Sequence, residues 1–277
     1  MLVFVTGASG FIGSAVVLDL LHAGHRVLGL ARSPASAASL VSAGALVHHG
    51  SLSDLASLKS GAAKADGVVH LAFNADFSNY AAVCEMDRLA IEAMGEALAG
   101  TGKPLVVTKM GRIWGASDVA ALALAEKKVR VSVVRLPPTV HGEGEKGFIP
   151  MLVSAARAGG ESMYIGDGLN RWPAVHRLDA AVVFRLALEK GGAGKSFHAV
   201  GEEAVVLKDV AGVIGRELGV PVVSRSFEEA QGVLGFVATP VSMDNPTSSQ
   251  WTREVLGWSP RQVGLIADLE QGHYFGK

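Results

Sequence analysis

The chain has 277 residues, 49% of them hydrophobic, with a formal net charge of −1 and a single cysteine. Charged or Gly-rich breaks interrupt each apolar run well before the roughly 20 residues of a bilayer span, which argues against a membrane protein. The densest basic stretch, Lys127, Lys128 and Arg130, reads as a solvated helix end running into a strand, too narrow for a nucleic-acid footprint. Cys84 alone cannot form an intrachain disulfide and reads as a small buried group in a helix. The apolar opening Leu2-Val3-Phe4-Val5 leaves no room for a charged leader, so a reducing, cytoplasmic setting is expected.

Short β-branched runs alternate with helical patterns along the first two thirds, as a doubly wound parallel α/β sheet requires. Strands are predicted at 2–6, 26–30, 45–48, 67–71, 104–108 and 129–136, mostly as continuous apolar runs covered on both faces. Helices are predicted between them at 11–22, 35–43, 55–60, 80–99 and 118–127. Gly142-Glu143-Gly144-Glu145-Lys146-Gly147 breaks the pattern. Helical stretches resume at 148–158, 179–190 and 208–218, and a strand-like 196–200 is expected to return to the main sheet. The implied organisation is a larger domain, 1–145 plus about 176–200, and a smaller C-terminal α/β lobe, about 146–175 and 201–277.

The strongest motif is Gly7-Ala8-Ser9-Gly10-Phe11-Ile12-Gly13, between the first strand and the first helix. Gly7 permits a tight turn, Gly10 lets backbone approach a diphosphate, and Gly13 lets the helix pack closely. Amides at the start of that helix then face an anion. This is a dinucleotide-binding loop of Rossmann type. At the end of the second strand, Ala31-Arg32-Ser33 stands where an NAD-preferring fold places an acid for the ribose hydroxyls. A guanidinium suits a 2′-phosphate, so NADP(H) is expected over NAD(H).

With these residues in place, the chain resembles the extended short-chain dehydrogenase/reductases, the NAD-dependent epimerase/dehydratase-like group, over essentially its whole length. Gly50-Ser51-Leu52-Ser53-Asp54 is similar to that family's adenine-binding turn, and His70-Leu71-Ala72-Phe73 to the end of its fourth strand. The stretch from Thr108 and Lys109 through Trp114 to Gly115 resembles the fifth-strand segment bearing the catalytic hydroxyl. Arg135-Leu136-Pro137-Pro138-Thr139-Val140-His141-Gly142 resembles the turn that touches nicotinamide, and Leu256-Gly257-Trp258-Ser259-Pro260 the C-terminal signature. The resemblance implies an NADP-binding Rossmann domain, a substrate lobe and a small-molecule substrate. It also implies a homodimer built on the helices at 80–99 and 118–127. Beyond the loop and Arg32, it assigns Ser33, Ser51, Leu52, Leu71, Ala72, Phe73, Thr108, Pro137 and Thr139 to the cofactor.

Two departures stand out. Ser51 replaces the usual Asp of the adenine turn, and the Tyr-x-x-x-Lys pair is absent: none of Tyr80, Tyr164 and Tyr274 has a lysine four residues on. This points to an atypical branch of the family. Thr108, Lys109 and His141 are the candidate substitutes for the tyrosine acid, each set against a plain structural role. Trp114 reads as a pocket wall or a packed indole, and His176 with Asp179 as a helix start whose Asp is a cap. The expected function is an NADP(H)-dependent oxidoreductase acting on a small carbonyl or alcohol; the alternative is a non-catalytic NADP(H)-binding sensor or regulator.

Overall fold

The computed structural model describes residues 1–74, 79–110 and 115–276. The elements begin with β1 (Leu2–Thr6), α1 (Phe11–His22), β2 (Arg26–Ala31), α2 (Pro34–Ser42), β3 (Leu46–His49), α3 (Leu55–Lys64) and β4 (Gly67–His70). Then come α4 (Tyr80–Leu98), β5 (Pro104–Met110), α5 (Gly115–Ala123), β6 (Arg130–Leu136), β7 (Thr139–His141) and α6 (Phe148–Gly159). The chain continues with β8 (Ser162–Ile165), β9 (Arg171–His176), α7 (Arg177–Lys190), β10 (Lys195–His198), β11 (Glu202–Val206) and α8 (Leu207–Leu218). It closes with β12 (Val222–Arg225), α9 (Phe227–Leu234), α10 (Ala238–Ser242), α11 (Gln250–Leu256) and α12 (Leu265–Leu269).

Two compact units result: Met1–Arg135 with Ala180–His198 and Trp251–Trp258, and Leu136–Asp179 with Ala199–Gln250 and Ser259–Lys277. In the first, a seven-stranded parallel sheet of order β10-β6-β5-β4-β1-β2-β3 is flanked by helices, a Rossmann-like α/β fold. The chain winds outward from β1 to β3, then returns to β4 on the other side of β1. A crevice therefore opens at the carboxyl ends of β1 and β4, where open α/β sheets hold ligands.

Helix α1 buries Val16, Val17 and Leu20 yet has no side-chain cap. Those three side chains contribute about 1.5–3 kcal/mol each, which outweighs the roughly 1 kcal/mol that a cap would add. The sequence can thus leave the helix start open. Helix α3 runs four residues past its expected end because Gly61 is there for packing. A Cβ on Gly61 would lie 2.4 Å from the Phe4 ring, so the smallest residue lets the helix continue over the sheet. Helix α5 ends at Ala123 rather than 127. Residues 124–128 tighten into successive i→i+3 turns and end at Lys128, whose φ is 58°. Cys84 is half-buried on α4 rather than buried.

The first unit closes at Arg135, ten residues before the boundary expected at 145, because β7 pairs with β9 and not with the main sheet. It also takes in Trp251–Trp258: the Trp251 indole stacks on Phe197 at 5.1 Å, and Thr252 Oγ1 accepts the His198 amide at 2.8 Å. Strand β10 returns to the sheet beside β6. Gly257 ends α11 with φ 67°, and Trp258 beyond it is buried.

The second unit has a sheet of order β11-β9-β7 and a parallel pair of β8 and β12. Its own core centres on Trp172, whose indole N–H donates to the Pro240 carbonyl at 3.0 Å and whose ring lies 5.3 Å from Phe148. Among the described residues, no helix is long and apolar enough to cross a membrane.

Candidate functional site

The glycine loop sits in the crevice of the first unit. Gly7 has φ 66°, and a Cβ there would come within 2.7 Å of the Ala72 amide nitrogen, so loop and β4 end meet backbone to backbone. Gly13 is tighter still, its Cβ position 1.9 Å from the Gly7 carbonyl oxygen. That glycine fits the helix against its own loop rather than against the sheet. The Gly10 amide donates to Gly7 O at 2.9 Å, so Gly10 closes the turn. Ser9 is exposed, Phe11 and Ile12 are half-buried, and the uncapped first turn of α1 follows. An open helix start beside bare backbone is a receptor for an anionic group.

A cleft of about 270 Å³ lies at the ends of β2 and β3, lined by Ala31, Arg32, Ser33, Pro34, His49, Gly50, Ser51 and Asp54. The register pairs Ala31 with His49, which sets the imidazole beside the segment that carries Arg32. Ser33 caps α2, its oxygen accepting the Ser36 amide, and Pro34 takes the first helical position. Ser51 Oγ lies 3.0 Å from Ser53 Oγ, and Leu52 beside it is half-buried. Asp54 spends its Oδ1 on the Ser57 amide at the start of α3. The cleft thus gathers Arg32, Ser33 and Ser51 as expected and adds His49, which sequence reasoning passed over. The signal was its neighbour: His48 turns inward, binding Ser57 O and meeting the Phe4 ring edge-on, so alternation sends His49 outward.

Leu71, Ala72 and Phe73 follow β4 and are half-buried. On β5, Thr108 donates its hydroxyl proton to the His70 carbonyl at 2.9 Å. Lys109 is 7% exposed; burial, and then the charge of Arg135, push its ammonium below the usual lysine range. Trp114 and its neighbours 111–113 lie outside the described residues.

Pro137, Thr139 and His141 belong to the second unit and are buried. Thr139 Oγ1 has no hydrogen-bond partner among the described residues. His141 Nδ1 is 2.9 Å from Asp268 Oδ2, and its ring packs edge-on against His176 at 5.3 Å. Burial raises the Asp268 carboxyl, but the bond from His141 and the nearby histidine charges hold it below the ordinary value. Burial, then His141, pushes His176 down. Asp179, expected to cap α7, lies inside its first turn and instead accepts the Arg261 and Gln262 amides at 2.8 and 3.0 Å. The Leu178 amide donates to His176 Nδ1 at 3.2 Å.

Tyr274 completes this cluster, donating to Glu145 Oε2 at 2.6 Å and accepting the Gly142 amide at 3.0 Å. Burial lifts the Glu145 carboxyl from 4.5 to about 7. A folded value above the ordinary one means stabilisation that is complete below pH 4.5 and lost as pH rises through about 7. Glu145→Gln keeps a neutral acceptor for Tyr274. It should raise the melting temperature at about pH 8, by the equivalent of roughly 3 kcal/mol, and change it little at about pH 5. Among the described residues, no group of three or more His, Cys, Asp and Glu could hold a metal ion.

Comparisons with known proteins agree with this geometry. Residues 3–83 match the model of the NAD dependent epimerase/dehydratase family. An uncharacterized protein of Schizosaccharomyces pombe is 47% identical, the match covering 99% of this chain and 100% of that protein. That match runs over 295 positions, 18 more than this chain has residues, so segments of the relative have no counterpart here. A 2-alkyl-3-oxoalkanoate reductase of Stenotrophomonas maltophilia is 26% identical over 82% of this chain and 78% of its own. The fold is similar to the dTDP-glucose 4,6-dehydratase of Streptomyces venezuelae, solved with NAD bound: TM-score 0.76, 20% identity, 100% and 97% coverage. Residues 3–83 are thus of the NAD dependent epimerase/dehydratase type, and over its whole length the chain belongs with the uncharacterized Schizosaccharomyces pombe protein.

Proposed function

We propose that this chain is an NADP(H)-dependent oxidoreductase of an atypical branch of its family, acting on a small carbonyl or alcohol. The cleft at the ends of β2 and β3 carries the cofactor preference: Arg32, Ser33 and His49 line it where a ribose-binding acid would stand. The one carboxylate there, Asp54, is turned to the α3 amides. In this reading, the loop from Gly7 to Gly13 with Ser9, Phe11 and Ile12 holds the diphosphate. Arg32, Ser33 and Ser51 hold the phosphorylated adenosine end, with Leu52, Leu71, Ala72 and Phe73 along its edges.

When bound, the nicotinamide supplies the hydride chemistry. The chain's own task is to orient the dinucleotide and to move one proton at the substrate oxygen. Thr108 commits its proton to His70, so it offers only acceptor capacity. Lys109 is the better donor in the first unit, since burial and the Arg135 charge ease release of a proton from Nζ. The name of the 26% identical relative, a reductase of an oxo acid, supports the reductive direction.

The absent Tyr-x-x-x-Lys pair favours a second reading, a non-catalytic NADP(H)-binding sensor or regulator. Calorimetric titration with NADPH and NADH, followed by NADPH oxidation across aldehydes, ketones and 3-oxo acids, tests both. NADPH is expected to bind about tenfold tighter than NADH, the equivalent of one charge-assisted hydrogen bond. Turnover of a carbonyl would establish the enzyme; tight binding without turnover would favour the sensor; uptake of neither nucleotide would overturn both.

A further inference from the structure

At the floor of the crevice, three polar side chains stand in line, each at most 5% exposed: Thr6 at the end of β1, His70 at the end of β4 and Asp87 on α4. Thr6 Oγ1 is 2.6 Å from His70 Nδ1, and His70 Nε2 is 3.1 Å from Asp87 Oδ1. The Ala72 amide donates to Thr6 Oγ1 at 3.2 Å, and the Leu71 amide shares its hydrogen between Thr6 Oγ1 at 3.2 Å and the Thr6 carbonyl at 3.3 Å.

Counting hydrogens fixes their direction. A hydroxyl has two lone pairs and one proton. Both lone pairs of Thr6 are taken by the two amides, so its proton goes to His70 Nδ1. That nitrogen is an acceptor, and a neutral imidazole then carries its hydrogen on Nε2. Asp87 accepts it. The carboxylate on α4 thereby selects the imidazole tautomer, the imidazole orients the Thr6 hydroxyl, and the hydroxyl holds two backbone amides. Those amides belong to the segment that meets Gly7 backbone to backbone. The His70 carbonyl also receives the Thr108 hydroxyl, which ties in β5.

We infer that Asp87, His70 and Thr6 form a positioning relay that sets the height of the Leu71–Ala72 backbone against the glycine loop, and so the affinity for the dinucleotide. The inference rests on the proposed cofactor reading. It assigns the relay to the part of the ligand that NADPH and NADH share, unlike Arg32, whose target only NADPH carries.

The test compares Thr6→Val with Thr6→Ser by calorimetry against both nucleotides, with melting temperatures alongside. Thr6→Val should weaken NADPH and NADH by the same factor, about tenfold, as expected when the half-buried Ala72 amide loses its acceptor and the Leu71 amide keeps only the Thr6 carbonyl. Thr6→Ser, which keeps the hydroxyl, should restore both affinities to within about twofold. Nitrogen-15 shifts of His70 in the wild-type protein should show a proton on Nε2 and none on Nδ1, a readout that needs no variant to fold. A proton on Nδ1, or Thr6→Val binding as tightly as wild type at a lowered melting temperature, would overturn the relay while leaving the cofactor reading intact. Wild-type protein that binds neither nucleotide would remove the cofactor reading and the relay with it.

Discussion

Gly13→Ala is expected to abolish measurable nucleotide uptake. The new methyl would fall 1.9 Å from the Gly7 carbonyl oxygen and 3.1 Å from Ala8 Cα. Both neighbours are backbone, so neither can rotate away as a side-chain tip would. Relief requires moving α1 off the loop or the loop off the β4 end, and either motion opens the crevice. The strain costs about 3 kcal/mol or more. If it falls on the loop alone, the nucleotide dissociation constant rises by at least about a hundredfold. Calorimetry with NADPH reads the affinity, and the far-ultraviolet spectrum checks that the fold survives. A folded Gly13→Ala protein with wild-type affinity would show that the diphosphate does not rest on this loop.

Arg32→Asp gives the second large effect, and a selective one. Arg32 lines the cleft with Ser33 and His49, and the replacement would put a carboxylate beside the 2′-phosphate in place of a fork of donors. Removing an attractive charge and adding a repulsive one together cost about 3 kcal/mol, roughly a hundredfold in NADPH affinity. NADH has no such phosphate, and its ribose hydroxyls would gain an acceptor, so its affinity should hold or improve. Competition titrations with the two nucleotides check this directly. Equal losses for both would remove the preference for the phosphorylated cofactor.

The first unit was legible because its instructions are local. The glycine loop, the Ala31-Arg32-Ser33 step after β2 and the apolar run of β4 each speak within a few residues. Helix α3 was cut short in the sequence because Gly61 discourages a helix, and the reason for that glycine, the Phe4 ring, lies 57 positions away. The short strands of the second unit gave no period to read: β7 has three residues and β8 four. The His141–Asp268 pair spans 127 positions. No spacing rule reaches that far, so His141 was singled out for its imidazole and not for its partner. His49 was hidden by the doublet, in which only the pleat decides which ring faces outward.

The first unit also needs material from late in the chain, for β10 and for residues 251–258. During synthesis on the ribosome, β6 waits as an unpaired edge, with free amides and carbonyls along it, until Lys195–His198 emerges. A fragment cut at residue 145 would keep that edge open permanently, a template for strands of other molecules. The dinucleotide half of this protein is therefore not a module to be expressed alone, even though its loop and its cleft lie within the first 54 residues.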